Sequence, residues 1–310
     1  VRKIIPFLLL GPLLAACGGG GAVVARVDDA EITLAELEAL ARTASVPVTA
    51  GAEGGVSLVG LLQDVIIDTV VVREANQAFG ISATDEEIDA RAGEIQSGVE
   101  ANGQDFQALL EEQNISEERV RRIARQGVIA DKVRDRLVAD AGPLTDEDVT
   151  EAYATQELSL TEACLSHILV ASEEEALAAK ARLDAGEDFA TVAKELSTDP
   201  SAQENSGDLG CGPLSTYVPE FGRGALAAGI GTVTDPVRSQ FGYHLILVTS
   251  RETQPLDEVR EQLVAQLESD RASELLRDWL LAALGAATIE IEPEYGRWSA
   301  DPPQVLPPQE

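Results

Sequence analysis

Apolar residues recur at helical spacing from Val56 to Phe79, and the pattern ends at Gly80, a residue suited to close a helix in the left-handed conformation. Gln63, Asp64 and Asp68 fall inside that pattern, which marks a helix meant for a protein core rather than a bilayer. Capping boxes stand at Thr33 to Glu36 and Thr84 to Glu87. Ser116 to Glu118 opens a helix that carries Ile123, Ile129, Val133 and Leu137 to about Val138, and Thr145 to Tyr153 predicts a short one. Another begins at Ser172, with Glu175 three residues on, and stops at Gly186; Leu256 to Leu284 reads as a long amphipathic helix. The period changes in Cys164 to Val170 and in Phe241 to Val248, where continuous apolar, β-branched or aromatic runs predict buried strands. Val23 to Val27 and Thr288 to Glu292 are short strand-like runs without a nearby hairpin partner. A lone strand leaves its backbone groups unpaired, so these two are expected to pair and to make the helical part discontinuous. The last helix would then lay Leu263, Leu267, Leu275 and Leu276 on the N-terminal helices. Pro293 to Glu310, with Pro302, Pro303, Pro307 and Pro308, reads as an extended tail.

Charge narrows the partners. The 310 residues include 54 acidic against 23 basic side chains, a formal net charge of −31. Nucleic acid and anionic lipid head groups are thereby disfavoured, whereas basic or unfolded chains fit. At the N-terminus Arg2 and Lys3 precede an apolar stretch, Ile4 to Leu14, and Leu14-Ala15-Ala16-Cys17 is followed by four glycines. This resembles a bacterial lipoprotein signal, which implies cleavage before Cys17, lipidation of its thiol, and Gly18 to Gly21 as a tether. All acidic residues lie after Cys17, so loss of Arg2 and Lys3 takes the mature chain to about −33.

The chain has two histidines, His167 and His244, one in each of the two apolar strands. A lone histidine in such a strand is most often a core residue. Two strands that pair would bring both imidazoles together, and the sequence between them gives that pairing a purpose. Ser166-His167-Ile168-Leu169-Val170, Gly186-Glu187-Asp188-Phe189-Ala190, Gly207-Asp208-Leu209-Gly210, Val218-Pro219-Glu220-Phe221 and Phe241-Gly242-Tyr243-His244 follow one another in an order that resembles the parvulin peptidyl-prolyl isomerases. The resemblance covers residues 160 to 252. It implies a proline cup of Leu209, Tyr217 and Phe221, and a polar floor of His167, Asp199 and His244 with Ser239 as an additional hydrogen-bonding member. Rotation about an X-Pro bond makes and breaks no covalent bond, so neither cofactor nor metal is called for. Where some parvulins carry a cysteine this chain aligns Asp199, a poor nucleophile, which favours a hydrogen-bond network. Tyr217 stands where the family usually has methionine. Phosphate-directed parvulins carry a basic loop after the first strand; here Ala171-Ser172-Glu173-Glu174-Glu175 would repel a phosphopeptide.

Beyond the leader, Cys164 and Cys211 are the remaining thiols, an even count suited to an oxidising compartment. A bridge between them would close a loop of 47 residues and stabilise by about 4 kcal/mol in the loop-entropy picture. Two unpaired buried cysteines are the alternative. In a regular strand Cys164 and His167 face opposite sides, so a bridge would brace the sheet apart from the site.

The order of helices around the parvulin segment resembles the extracytoplasmic foldases of the PrsA and SurA type. It implies an α+β chain in which a parvulin domain, a small antiparallel sheet with surrounding helices, is inserted into a mainly helical chaperone domain. The expected divisions are a leader at 1–16, lipidated Cys17 and tether at 17–22, helical parts at 23–158 and 253–292, the isomerase at 159–252 and the tail at 293–310. The implied activity is isomerisation of X-Pro bonds in unfolded or nascent secreted proteins, by a chain held to the membrane through a lipid anchor. A non-catalytic peptide-binding chaperone and a cell-wall assembly lipoprotein are the alternatives.

Overall fold

The computed structural model describes residues 21–41 and 57–309, so the leader and Cys17 lie outside the described residues. In chain order the elements are β1 (Val23–Val27), β2 (Ala30–Thr33), α1 (Leu34–Ala39), α2 (Leu58–Phe79), α3 (Asp85–Ala101), α4 (Phe106–Glu112), α5 (Glu117–Ala141), α6 (Asp146–Gln156), β3 (Thr161–Val170), α7 (Glu173–Asp184), α8 (Phe189–Leu196), α9 (Ala202–Asn205), β4 (Asp208–Pro213), α10 (Pro219–Ala227), β5 (Val237–Ser239), β6 (Gly242–Thr253), α11 (Leu256–Ala286), β7 (Ile289–Ile291), β8 (Arg297–Ala300) and β9 (Pro303–Leu306). No described helix is long and apolar enough to cross a membrane. Two compact units emerge: residues up to Gly142 together with those from Arg271, and Pro143–Asp270.

In the first unit, β1 pairs antiparallel with β2 and with β7, so the strand order is β2-β1-β7. Its core gathers Val24, Val27, Leu37, Leu61, Val65 and Ile66 around the sheet. Side-chain caps start the helices where the sequence places them: Thr33, Ser57, Thr84 and Ser116 each accept from the backbone N–H three residues on, and Gly80 closes α2 at φ 66°. The polar residues of α2 face α5. Asp64 pairs with Arg119 at 2.7 Å and Asp68, 2% exposed, with Arg122 at 2.9 Å and with Arg125. Short α4, capped by Asp105, is an element the apolar pattern does not announce.

The stretch after Pro293 corrects the expectation of an extended tail. β8 and β9 form an antiparallel hairpin, Val305 is buried in the first unit's core, and Trp298 packs against that core. The Val305 N–H donates to Gln63 Oε1 at 3.2 Å. Prolines at 302 and 303 sit at the turn and at the first residue of a strand, where a missing N–H is tolerated.

The second unit is built on a four-stranded antiparallel sheet in the order β4-β3-β6-β5. One side of β3, with Ile168 and Val170, packs on α7 and α8; the other, with Ala163 and Leu165, packs on Phe221 and Ala225 of α10. Cys164 and Cys211 face each other across β3 and β4 and are joined by a disulfide. The unit is larger than the expected 159–252 segment. Val259, Leu263 and Leu267 of α11 pack with Val149 and Tyr153 of α6 and with Leu160, so α6 and the start of α11 belong with the isomerase sheet. Of the leucines expected to meet the N-terminal helices, Leu276 does so, beside Val71, Ile129 and Val133.

Candidate functional site

β3 and β6 occupy the middle of the sheet, with His167 opposite Ile246 and His244 opposite Leu169. That offset stacks the two rings, 5.6 Å between centroids and 21° apart in plane, with their Nδ1 atoms 3.4 Å apart. Both are buried, at 6% and 4% exposure. Gly207, at φ 81°, accepts the His167 N–H on its carbonyl at 2.8 Å. A Cβ there would stand 2.5 Å from the His167 carbonyl oxygen, so no other residue fits beneath this histidine.

Asp199 reaches His167 because the segment after α8 is stitched to β3. Thr198 N–H donates to the Leu169 carbonyl at 2.7 Å, and Leu169 N–H donates to Ser197 Oγ at 3.1 Å. The carboxylate then meets His167 Nε2 at 2.7 Å through Oδ2, while Oδ1 accepts from the Ser201 backbone and hydroxyl, each at 2.9 Å. Burial works to raise the Asp199 pKa, but the two Ser201 hydrogen bonds and His167 outweigh it and hold the group below the usual carboxylate value. At the other end, Ser239 Oγ lies 2.7 Å from His244 Nε2 and accepts the Phe241 N–H at 3.1 Å. Burial, reinforced by the neighbouring His167, lowers the His244 pKa to about 4 against a smaller opposing pull from Asp199.

The carboxylate only accepts, so His167 Nε2 donates to it; the His167 Nδ1–His244 Nδ1 and His244 Nε2–Ser239 Oγ links continue the run with one proton each. This run underlies a pocket of about 400 Å³. Leu209 and Tyr217, both half-buried, form its wall with Phe221. Phe221 is only 2% exposed and stands edge-on to both imidazoles, at 5.7 Å from His167 and 5.1 Å from His244, with Tyr217 4.8 Å away. It is therefore as much a core residue beneath the pocket as a part of its surface. Burial also raises the Tyr217 pKa, which keeps the phenol neutral.

Of the residues expected at the site, His167, Asp199, Leu209, Tyr217, Phe221 and His244 line this pocket, and Ser239 meets it through His244. Thr216, Val218 and Phe241 also line it. Val218 and Phe241 stand in motifs of the family resemblance without a role of their own, and Thr216 is marked in the sequence only by its place beside Tyr217. Ser201 was not anticipated as the partner of Asp199; its place two residues on, where an Asx-type turn brings an N–H to the carboxylate, was the available clue.

A family model described as Rotamase, PPIC-type PPIASE domain, matches residues 167–250. The foldase protein PrsA of Halalkalibacterium halodurans is 34% identical over 281 residues, covering 87% of this chain and 80% of that protein. The foldase protein PrsA of Clostridium botulinum strain Hall is 32% identical over 226 residues, covering 69% and 67%. A crystal structure of peptidylprolyl isomerase (PrsA) from Bacillus cereus is similar at 26% identity over 74% of this chain and 83% of that one, with a TM-score of 0.45. The shared sequence runs far beyond the isomerase segment: the chain belongs to the PrsA foldase family, and it is a peptidyl-prolyl cis-trans isomerase of the parvulin type.

Proposed function

We propose that the Ser239–His244–His167–Asp199 run is the floor on which an X-Pro bond turns, and that Leu209, Tyr217 and Phe221 hold the pyrrolidine ring. The observation that carries this reading is a buried hydrogen-bond run lying directly beneath an open apolar pocket. Rotation faces a barrier of about 18–20 kcal/mol, set by amide resonance. An apolar pocket removes water from the imide carbonyl and so lowers the resonance stabilisation of the planar state. Fixed dipoles beneath it favour the twisted state, in which the carbonyl oxygen and the pyramidalising nitrogen both change charge. The depressed His244 pKa keeps that ring neutral at physiological pH, so at His244 the floor presents a dipole rather than a charge. No step requires a nucleophile.

The chain acts, in this proposal, on unfolded or nascent secreted proteins at the outer face of the cytoplasmic membrane. Cys17, following an apolar stretch and preceding four glycines, would anchor it through lipid, and the helices on either side of the isomerase would shelter clients. The foldase names of its relatives and the disulfide, stable only in an oxidising compartment, support this location.

Substitution tests the site. His244→Ala and Asp199→Ala should each lower kcat/KM on X-Pro tetrapeptides by on the order of 10²-fold with far-UV circular dichroism unchanged, as expected when a preorganised dipole is removed. Undiminished turnover in both variants would remove these residues from the mechanism. For the anchor, metabolic labelling with a fatty-acid probe should mark the wild type and not Cys17→Ser, and an unlabelled wild type would exclude it.

A further inference from the structure

Phe241 is an aromatic residue where neither local structure nor packing asks for one. It occupies the two-residue turn between β5 and β6, Ser239 and Gly242 being the flanking pair. Such turns favour Gly, Asn and Asp. The turn is fixed independently of the ring: Gly242 at φ 134° lies so close to β3 that a Cβ would stand 2.3 Å from the Val170 carbonyl oxygen. Phe241 is 62% exposed and takes part in none of the hydrophobic clusters among the described residues. It nevertheless lines the pocket, opposite in character to the polar floor beside it.

We infer that Phe241 is a specificity residue that contacts the side chain preceding the proline and makes this isomerase prefer a large apolar residue there. The inference rests on the proposed seating of proline against Leu209 and Tyr217. In that seating the carbonyl over the polar floor belongs to the residue before proline. Phe241 is tied to that floor through its N–H, which donates to Ser239 Oγ, which in turn meets His244. The ring therefore flanks the residue whose carbonyl turns, while Tyr217, packed on Phe221, stays with the proline. Covering an exposed ring with an apolar side chain is favourable. The one ionisable carboxylate of the pocket, Asp199, gives an acidic side chain no corresponding gain.

The test is kcat/KM of the full chain on a tetrapeptide series, Ala-Xaa-Pro-Phe with Xaa as Leu, Phe, Ala or Glu. The wild type should prefer Leu and Phe over Ala by about five- to tenfold, the range expected for covering one apolar side chain. Phe241→Ala should bring the series to near equality by lowering the Leu and Phe members most, and Phe241→Leu should restore part of the preference. A wild type that does not discriminate, or an equal loss across the series in Phe241→Ala, would overturn the inference even where His244→Ala abolishes turnover and upholds the site. Turnover that survives both His244→Ala and Asp199→Ala would overturn the site itself and this inference with it.

Discussion

Each unit buries a carboxylate among partners, and the two carboxylates are built to opposite ends. Asp68 in the first unit is sealed at 2% exposure between Arg122 and Arg125, and Arg122 also reaches Glu36 at 2.7 Å. Its charge is balanced by full charges, and Asp68 Oδ1 and the Nε atoms of Arg119, Arg122 and Arg125 have no hydrogen-bond partner. Asp199 in the second unit keeps 22% of its side chain exposed and spends its second oxygen on the Ser201 backbone and hydroxyl. Beyond it lies a run of ring and hydroxyl hydrogen-bonding groups beneath an open pocket. Burial and partnership of a carboxylate are common to both; what separates the two is the stacked ring pair and the apolar opening above it. The Asp68 cluster joins α2 to α5, and its work is structural.

The contrast is most severely strained by Asp68→Ala, which leaves two arginines without their shared counter-charge. Removing one partner of a buried pair costs about 3–5 kcal/mol, so denaturant unfolding should show the first unit strongly destabilised. Turnover of short X-Pro peptides below the transition should persist, and loss of turnover without loss of stability would erase the distinction. Opening the disulfide is the corresponding test of structure in the second unit. Cys164→Ser combined with Cys211→Ser should lower stability by about 2–4 kcal/mol while leaving the hydrogen-bond run and its turnover in place. A variant of unchanged stability would show that the bridge does not brace the sheet.

Acid sharpens the comparison further. His244 is depressed from 6.5 to about 4, so its neutral form persists as pH falls and is lost only on passing through the lower value. The stability it contributes is accordingly complete above 6.5 and lost as pH falls toward 4. A profile of kcat/KM against pH should stay level through the ordinary histidine range and fall to half near pH 4, where His244 takes its second proton. A fall centred at 6.5 would mean that the His244 pKa is not depressed, and activity that rises on acidification would mean that the floor works through a charged ring. The smallest effect is expected from phosphorylation: placing phosphoserine before the proline should leave kcat/KM unimproved. Glu173, Glu174 and Glu175 open α7 just after β3, and Asp199 lines the pocket, so the site offers a phosphate no cation. A clear preference for the phosphopeptide would contradict this reading of the surface.

Helix starts were legible because a Ser, Thr or Asp three residues before a free N–H is a local device, and Thr84, Thr145 and Ser172 act as the sequence suggests. The pair of strands that brings His167 to His244 was legible from two continuous apolar runs. What escaped depended on tertiary contacts. Unit boundaries at 142/143 and 270/271 follow from Leu263 and Val149 packing together, a choice of partner that helical periodicity does not encode. The β8–β9 hairpin was hidden by its prolines, and its stability comes from Val305 and Trp298 meeting the first unit's core rather than from local preference. Phe241 was quoted as part of a strand motif, whereas the turn places it at the pocket rim.

The antiparallel pairing of β1 with β7 sets a timetable for biosynthesis. Thr288 N–H donates to Asp28 Oδ1 across a separation of 260 residues, so β1 must wait for β7, made some 260 residues later, before its sheet is complete. Every strand of the isomerase sheet, by contrast, lies within Thr161–Thr253. Because chains are made from the N-terminus and distant contacts close late, the isomerase is assembled while the unit that brackets it is still unfinished. On that order of assembly, the unfolded polypeptide nearest to the finished isomerase would be the rest of its own chain.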